Sequence, residues 1–219
     1  EIVIHAAVYK HVPMVEANPK EGIRNNLLAT VELGRMSAAH GVKKFVFIST
    51  DKAVKPLSVM GITKRLSELA LVGMNKPGGT VFCAVRFGNV LGSSGSVIPL
   101  FEEQVRNHVA VTVTHPDMKR YFMTVGEAVS LVLQAATLAK QGEIFVLDMG
   151  QPVKVVDIAE EVIRRAGFRP YVDVPIIFTG IRPGEKLFEE LDVSEKSAIK
   201  TERNKIYICK DPVLAASEM

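Results

Sequence analysis

The chain has 219 residues, of which 47% are hydrophobic and 23% are charged, and its net charge is +3. This composition predicts a folded globular protein and excludes a disordered one. Because lysines and arginines are interspersed with acidic residues, the sequence predicts no nucleic-acid partner. No apolar run approaches the roughly 18 residues that a membrane span needs, so no membrane contact is predicted for this segment.

Cysteine and histidine usage gives no sign of a disulfide framework or a metal site. Cys83 and Cys209 lie far apart without CxxC spacing, and the five histidines show no metal-ligand spacing. We therefore predict two structural thiols in a reducing compartment and no bound metal.

The first part of the chain predicts a strand, a loop and a long helix. Residues 2–7 predict a short buried strand that ends in small residues, and residues 9–16 predict a loop. Asn18 is a predicted helix cap, followed by proline at the first helical position. The helix is predicted to run over residues 19–40 and to end at Gly41.

A second apolar strand, over residues 44–48, ends in the polar sequence Ser-Thr-Asp-Lys at positions 49–52. A buried parallel strand delivers such groups to its carboxyl edge, which is where α/β proteins bind ligands. Met60 and Lys64 follow at the start of a predicted helix. Their spacing places both side chains on one helix face.

Strands and helices continue to alternate through the rest of the chain. Strands are predicted over residues 80–86, 109–114, 143–148 and 172–178, and helices over residues 97–107, 128–139 and 155–166. Because most strands are uniformly apolar, the predicted fold class is α/β, with a parallel Rossmann-like sheet and a smaller interleaved lobe. Residues 1–90 are assigned to the sheet domain and residues 91–219 mostly to the smaller lobe, with residues 143–150 returning to the sheet.

The motif S-T-D-K-A-x-x-P-x-x-x-M-G-x-x-K-R, over residues 49–65, resembles the active-site segment of extended short-chain dehydrogenase/reductases that act on nucleotide sugars. It is most similar to the CapD-like polysaccharide-biosynthesis group, the UDP-N-acetylhexosamine 4,6-dehydratases. The resemblance implies an NAD cofactor, a UDP-sugar substrate bound by the smaller lobe, a homo-oligomer and a cytoplasmic location.

Dinucleotide-binding sheets normally open with a GxGxxG loop that holds the pyrophosphate. This sequence contains no such motif. By the resemblance, residues 2–7 correspond to the fourth strand of the sheet. We therefore expect the chain to be a fragment that lacks the first three strands and the phosphate-binding loop, from a protein that can be anchored to the inner face of a bacterial membrane.

The resemblance also implies roles for the central segment. Thr50 is expected to hydrogen-bond the C4 oxygen of the sugar, Asp51 to act as the acid at C6, and Lys52 to act as the base at C5. Lys64 is expected to bind the nicotinamide ribose and to lower nearby pKa values by its charge. The other residues expected to line the cofactor are His5, Ala6, Ala7 and Asn26.

Four residues in the second half are expected to bind the substrate. Asn89 resembles a contact to the sugar or nicotinamide, and a turn-forming asparagine is the alternative. Arg120 and Arg182 resemble diphosphate ligands, because a guanidinium binds phosphate oxygens in a bidentate manner. Glu185 is expected to reach the uridine ribose. Solvated surface positions are the alternative for these three charged residues.

Met60 stands where the wider superfamily has a tyrosine, and a thioether cannot take a proton from the C4 hydroxyl. The M-G-x-x-K-R form is similar to that of large CapD-like dehydratases, so Met60 is kept in the predicted catalytic set. Asp51 or a water molecule is then the candidate base at C4. The alternative is that Met60 fills the core of an inactive enzyme.

Two other functions stay open on the sequence. One is a nucleotide-sugar 4-epimerase; the other is a non-catalytic module that binds NAD or a UDP-sugar, which would account for Met60 and the missing loop. The neighbouring Asp51 and Lys52 favour the dehydratase, because an epimerase needs neither an acid at C6 nor a base at C5.

Overall fold

The structure, a computed structural model, describes residues 1–191, 193–194 and 196–210. Its helices are α1 (Val12–Ala17), α2 (Pro19–Gly22), α3 (Ala29–Ala39), α4 (Val59–Gly73), α5 (Val97–Arg106), α6 (Val125–Leu138) and α7 (Val155–Arg165), with a π-helix at Ile23–Leu28 and a 3-10 turn at Asp51–Ala53. Its strands are β1 (Ile2–His5), β2 (Lys44–Ile48), β3 (Val81–Arg86), β4 (Asn89–Val90), β5 (Val111–Val113), β6 (Lys119–Arg120), β7 (Phe122–Met123), β8 (Ile144–Leu147), β9 (Val153–Lys154), β10 (Ile176–Phe178), β11 (Ala198–Lys200) and β12 (Ile206–Cys209).

The chain divides into two compact units. The first contains residues 1–87, residues 129–148 and the described residues from 190 to 210. The second contains residues 88–128 and 149–189. The chain therefore passes from the first unit to the second and back twice.

The first unit is built on a six-stranded sheet with the order β1-β2-β3-β8-β12-β11. The first four strands pair in parallel, whereas β12 is antiparallel to both of its neighbours. This sheet confirms the predicted α/β class with parallel, Rossmann-like strands.

The sheet is apolar on both faces at its centre. Phe45, Phe47 and Phe82 are fully buried, and Leu71 of α4 packs in the same cluster. Strands buried on both faces have continuous apolar sequences, which is why β2 and β3 are recognisable in the sequence.

Helix α4 is fixed at its start by two polar contacts. The Ser58 hydroxyl accepts the N–H of Gly61 at 3.0 Å, and the Glu16 carboxylate accepts the N–H of Val59 at 2.5 Å. These contacts satisfy backbone N–H groups of the first turn, which have no partner within the helix. Residues spaced by four then lie along its buried face: Met60, Lys64 and Glu68.

The second unit has a core between helices and a short parallel pair of strands. β5 pairs with β10, and the helices α5 and α7 contribute Phe101, Val105, Val156 and Ile163 to one buried cluster. Two-residue ladders join β4 to β7 and β6 to β9.

The predicted start of the chain needs two corrections. The loop predicted over residues 9–16 is wrong, because α1 forms there and packs Val12 and Val15 against Met60. The helix predicted over residues 19–40 is interrupted: α2 passes into a π-helix before α3 begins. The π-helix contains Asn26, which is fully buried.

The predicted end of the chain also differs from the structure. Of the strand predicted over residues 172–178 only β10 forms, because the N–H groups of Asp173 and Val174 turn back to the carbonyl of Arg169. Strands β11 and β12 were not predicted, and both are short. β12 pairs antiparallel with β8, which is distant in the sequence, and β11 pairs antiparallel with β12 across a turn.

Neither Cys83 nor Cys209 forms a disulfide, and burial raises the pKa of the Cys83 thiol to about 12. Among the described residues, no helix combines the length and apolar character required to cross a bilayer. Within the same residues, no group of three histidine, cysteine or acidic side chains is arranged to hold a metal ion.

The start of α4 gives a stability prediction. A Cβ on Gly61 would collide with the carbonyl oxygen of Lys52 and lie 3.1 Å from the Ser58 hydroxyl. Gly61→Ala should therefore lower the free energy of unfolding by about 1–3 kcal/mol, as overpacking does. Urea unfolding measures this change.

Gly126→Ala is the matched control, since Gly126 is also near a helix start and a Cβ there meets nothing within 4 Å. That variant should be neutral or more stable by up to about 1 kcal/mol. Equal effects of the two substitutions would contradict the packing argument.

Candidate active site

The carboxyl ends of the parallel strands carry the residues predicted to react. Strand β1 pairs with β2 in a register that sets His5 opposite Phe47. The His5 ring stacks on Phe47 with centroids 5.7 Å apart, and its Nε2 lies 2.9 Å from the Thr30 hydroxyl. Burial lowers the pKa of His5, and the positive charge of Lys64 lowers it further. His5 is thus a stacked, hydrogen-bonded ring at the strand edge.

Of the predicted catalytic side chains, Thr50 and Lys52 both contact the carboxylate of Asp51. The Thr50 hydroxyl donates to Asp51 Oδ1 at 2.8 Å, and Lys52 Nζ donates to the same oxygen at 2.9 Å. Asp51 is 0% exposed, and its Oδ2 has no hydrogen-bond partner. One carboxylate oxygen is therefore held by two donors, while the other is buried without a hydrogen-bond partner. Because residues 50–52 are all predicted to be catalytic, we call them the catalytic segment.

The backbone of the catalytic segment is fixed by β3. The N–H of Ser49 donates to the carbonyl of Val85 at 2.8 Å, and the N–H of Asp51 donates to that of Phe87 at 3.0 Å. The pairing of β2 with β3 therefore continues past the ends of both strands, and it places the side chains that are predicted to react at the sheet edge.

Lys64 of α4 is buried next to the end of β2. Its Nζ donates to the carbonyl of Ile48 and lies 3.9 Å from the centroid of the Phe47 ring. Burial lowers the pKa of Lys64 to about 7, although the negative charge of Glu68 acts in the opposite direction. Lys64 therefore changes its charge near neutral pH.

Asn26 and Met60 take different places near the same helix. Asn26 Oδ1 accepts the N–H of Tyr9 at 2.8 Å, and its Nδ2 donates to the Tyr9 carbonyl at 3.0 Å. It therefore fixes the backbone just after Ala6 and Ala7, which are exposed. Met60 is buried in an apolar cluster with α1, and its thioether can neither donate nor take up a proton in catalysis.

In the second unit, Arg120 supports the loop that holds the other predicted ligands. Its guanidinium donates to the carbonyls of Lys186 at 2.8 Å and Leu187 at 3.2 Å. Arg182 is paired with Glu185 at 3.1 Å, and Glu185 Oε2 is buried without a hydrogen-bond partner.

Asn89 begins β4 in the same unit, and its N–H bonds the carbonyl of Tyr121. In the structure Arg182 and Glu185 thus lie together, and the hydrogen bonds of Arg120 hold their loop in place. A direct contact of Arg120 or Asn89 with a substrate stays a prediction.

The sequence interpretation missed a buried ionic cluster beside the catalytic segment. Ser49 and Arg86 both bond the carboxylate of Glu68. Two signals pointed to it: an arginine at the end of the apolar strand β3, and an acidic residue four positions after Lys64 on α4.

A family model described as "Polysaccharide biosynthesis protein" matches residues 1–211. This chain belongs to the polysaccharide biosynthesis protein family. The resemblance of residues 49–65 to the CapD-like group is thereby confirmed.

Two curated proteins that are similar to this chain show how widely the similarity extends. The chain is 58% identical over 190 residues to the capsular polysaccharide biosynthesis protein CapD of Staphylococcus aureus, covering 86% of this chain and 32% of CapD. It is 39% identical over 201 residues to a UDP-glucose 4-epimerase of Rickettsia bellii, covering 90% of this chain and 58% of that protein. The chain thus spans between a third and three fifths of their length.

Among solved structures, Pen from Bacillus thuringiensis is similar at a TM-score of 0.88 and 35% identity, covering 98% of this chain and 68% of that one. The fold of this chain is thus also found in an X-ray structure.

The buried Lys64 gives a prediction of how stability depends on pH. Its folded pKa of about 7 lies below the unfolded value of 10.5. Below pH 7 Lys64 is protonated in both the folded and the unfolded state, so the full free-energy cost of burying its charge lowers the stability. Between these values the unfolded state binds more protons, so the contribution of Lys64 to the free energy of unfolding rises with pH, by at most about 1.4 kcal/mol per pH unit.

Urea unfolding of the native chain and of Lys64→Met from pH 6 to pH 10 measures this effect. The stability of the native chain relative to the variant should rise with pH above 7. The NMR signal of the Lys64 Cε should titrate with a midpoint near 7. A midpoint above pH 9 would contradict the buried environment.

Proposed function

We propose that this chain forms the catalytic and nucleotide-sugar-binding part of an NAD-dependent dehydratase, which converts a UDP-N-acetylhexosamine to its 4-keto-6-deoxy product for surface polysaccharide biosynthesis. The observation that carries the proposal is the arrangement around Asp51. Its carboxylate is buried, one oxygen is held by Thr50 and Lys52, and the other oxygen has no partner.

Dehydration across C5 and C6 needs a base and an acid that work together. In the proposal, Lys52 takes the proton from C5 and Asp51 delivers a proton to the C6 hydroxyl as it leaves as water. Asp51 takes the proton that the C4 hydroxyl loses on oxidation and is thereby able to protonate the C6 hydroxyl, and Lys52 returns a proton to C5 when C6 is reduced, so both side chains end in their starting states. The 2.9 Å contact between the Lys52 amine and the Asp51 carboxylate keeps the base and the acid side by side. The Thr50 hydroxyl binds the C4 oxygen.

The residues at the ends of β1 and β2 fit the nicotinamide-ribose end of NAD. Lys64 offers an amine at the strand edge, and the exposed Ala6 and Ala7 leave their backbone open to a close approach. Asn26 holds that backbone in place through Tyr9. When bound, NAD supplies the oxidation at C4 and the later reduction at C6.

The second unit carries the residues assigned to the UDP moiety. Arg182 is 56% exposed in its side chain and offers a guanidinium to a diphosphate. The unpartnered Glu185 Oε2 suits a ribose hydroxyl, which is a hydrogen-bond donor. Arg120 holds this loop, and Arg120 and Asn89 complete the proposed set.

A nucleotide-sugar 4-epimerase is the second candidate. The Rickettsia relative, which is called a UDP-glucose 4-epimerase, favours it. The contact between Asp51 and Lys52 favours the dehydratase, because epimerisation at C4 uses neither an acid at C6 nor a base at C5.

We place the reaction in the cytoplasm, a reducing compartment that suits Cys83 and Cys209, neither of which forms a disulfide. The active form in this proposal is the longest natural protein that contains this segment. The segment itself has no GxGxxG loop to bind the cofactor pyrophosphate.

Proton NMR of UDP-N-acetylglucosamine in D2O tests the proposed chemistry. The longest natural protein containing this chain should produce a C6 methyl signal with deuterium at C5. Lys52→Ala and Asp51→Asn should each lower kcat by about 10²–10⁴-fold, the usual loss of a general base or acid.

Lys43→Ala is the matched control, since it removes one exposed lysine at the other end of the same strand and should leave kcat unchanged. A C4 epimer without a methyl signal would replace the dehydratase by the epimerase. Nucleotide-sugar binding without turnover, unaffected by Lys52→Ala, would indicate the non-catalytic module.

A homo-oligomer is also part of the proposal. Ile62 and Leu66 are 43% exposed and lie one turn apart on α4, and Met36 of α3 is 52% exposed. Leu66→Glu should weaken self-association as measured by light scattering. Leu100→Glu, at an exposed leucine of α5, is the control and should leave it unchanged. Equal masses for the native chain and Leu66→Glu would count against this face.

A further inference from the structure

A cluster of buried charge joins the three elements that carry the proposed active site. We call Ser49, Glu68 and Arg86 the Glu68 cluster. Glu68 is 0% exposed and Arg86 is 1% exposed. Glu68 Oε1 accepts from the Ser49 hydroxyl at 2.5 Å and from Arg86 Nε at 2.8 Å. Glu68 Oε2 accepts from Arg86 Nη2 at 2.7 Å and from Arg65 Nη1 at 3.2 Å.

The geometry of this cluster is demanding. Arginine and carboxylate form a bidentate pair, in which two parallel N–H groups fix the relative orientation of both planes. A third donor, the Ser49 hydroxyl, then has to approach Glu68 Oε1 from the side that Arg86 leaves open. Burial makes each of these contacts obligatory, because a charge without its partner in the interior is strongly destabilising.

Each member belongs to a different element of the proposed site. Ser49 directly precedes the catalytic segment. Glu68 follows Lys64 by one turn on the same buried face of α4. Arg86 ends β3 between Val85 and Phe87, whose carbonyls accept the N–H groups of Ser49 and Asp51. The cluster therefore links the strand that carries the acid and base to the helix that carries Lys64.

We propose that Ser49, Glu68 and Arg86 act as a positioning unit, which sets the place of the catalytic segment against α4 and touches neither substrate nor cofactor. The inference rests on the proposed function, because the catalytic segment has its role only there. Arg65 of the M-G-x-x-K-R motif belongs to the support of this unit, since its guanidinium bonds Glu68.

The sharpest single change is Ser49→Ala. It removes the hydroxyl that links the catalytic segment to Glu68, and it keeps the backbone bond of Ser49 to Val85 and the ion pair of Glu68 with Arg86. Thr80→Val is the matched control. Thr80 is a buried residue whose hydroxyl donates at 2.6 Å to the carbonyl of Val42, at the opposite end of the same strands.

Glu68→Gln alone leaves the charge of Arg86 buried without its partner and is prone to unfold. The second variant is therefore Glu68→Met with Arg86→Met, which removes the whole ion pair and leaves an apolar interior. Such replacements of buried pairs preserve folding in other proteins. Circular dichroism and cooperative urea unfolding establish that the variants are folded.

In the longest natural protein that carries this chain, Ser49→Ala should lower kcat about tenfold and the double variant about 10²-fold, the loss expected when reacting groups are misplaced by about 1 Å. KM for the UDP-sugar should change less than about threefold, because positioning acts on the transition state. Thr80→Val should keep the native kcat. A native kcat in both cluster variants, or a raised KM with kcat unchanged, would overturn the inference.

Amide hydrogen exchange of residues 49–54 provides a readout that needs no turnover. Exchange there should be about tenfold faster in Ser49→Ala, consistent with the loss of one hydrogen bond, and native in Thr80→Val. If the native protein makes no C6-methyl product, the proposed function fails while the exchange comparison still decides the positioning role. Unchanged exchange in both cluster variants would refute it.

Discussion

The ion pair between Glu68 and Arg86 is the constraint around which the first unit is arranged. Two charges with almost no exposure are stable only because each oxygen of Glu68 accepts two donors. The interior has a low dielectric, so these donors have to come from fixed positions on β2, β3 and α4. The pair thereby ties the ends of β2 and β3 to α4.

The chemistry of the proposed site follows from that placement. Parallel strands end at the same edge, and the backbone of residues 49 and 51 remains paired with β3 beyond β2. Asp51 is therefore buried and fixed through one oxygen, while Lys64 is held under Phe47 in surroundings that lower its pKa to about 7. The strength of these effects depends on the exclusion of water, which the aromatic core of Phe45, Phe47 and Phe82 provides.

Much of this fold could be predicted from the sequence, because its signals are local. The apolar runs at β2 and β3 and the helix signals of α5 and α7 lead to elements within one or two residues of those observed. The motif over residues 49–65 led to the correct family. The predictions fail where residues that are distant in the sequence stabilise an element. Helix α1 forms because Val12 and Val15 pack against Met60, and β12 forms because it pairs with β8.

The sequence by itself determined the α/β class, the strand that ends in Ser-Thr-Asp-Lys, and the helix face shared by Met60 and Lys64. Periodicity and turn residues are properties of neighbouring positions, so they can be read directly. Only the tertiary structure decided that Glu68 pairs with Arg86, that Arg120 is used to hold a loop, and that burial brings the pKa of Lys64 toward neutrality. Burial and the choice of a partner depend on residues far apart in the chain, and these become neighbours only when the chain has folded.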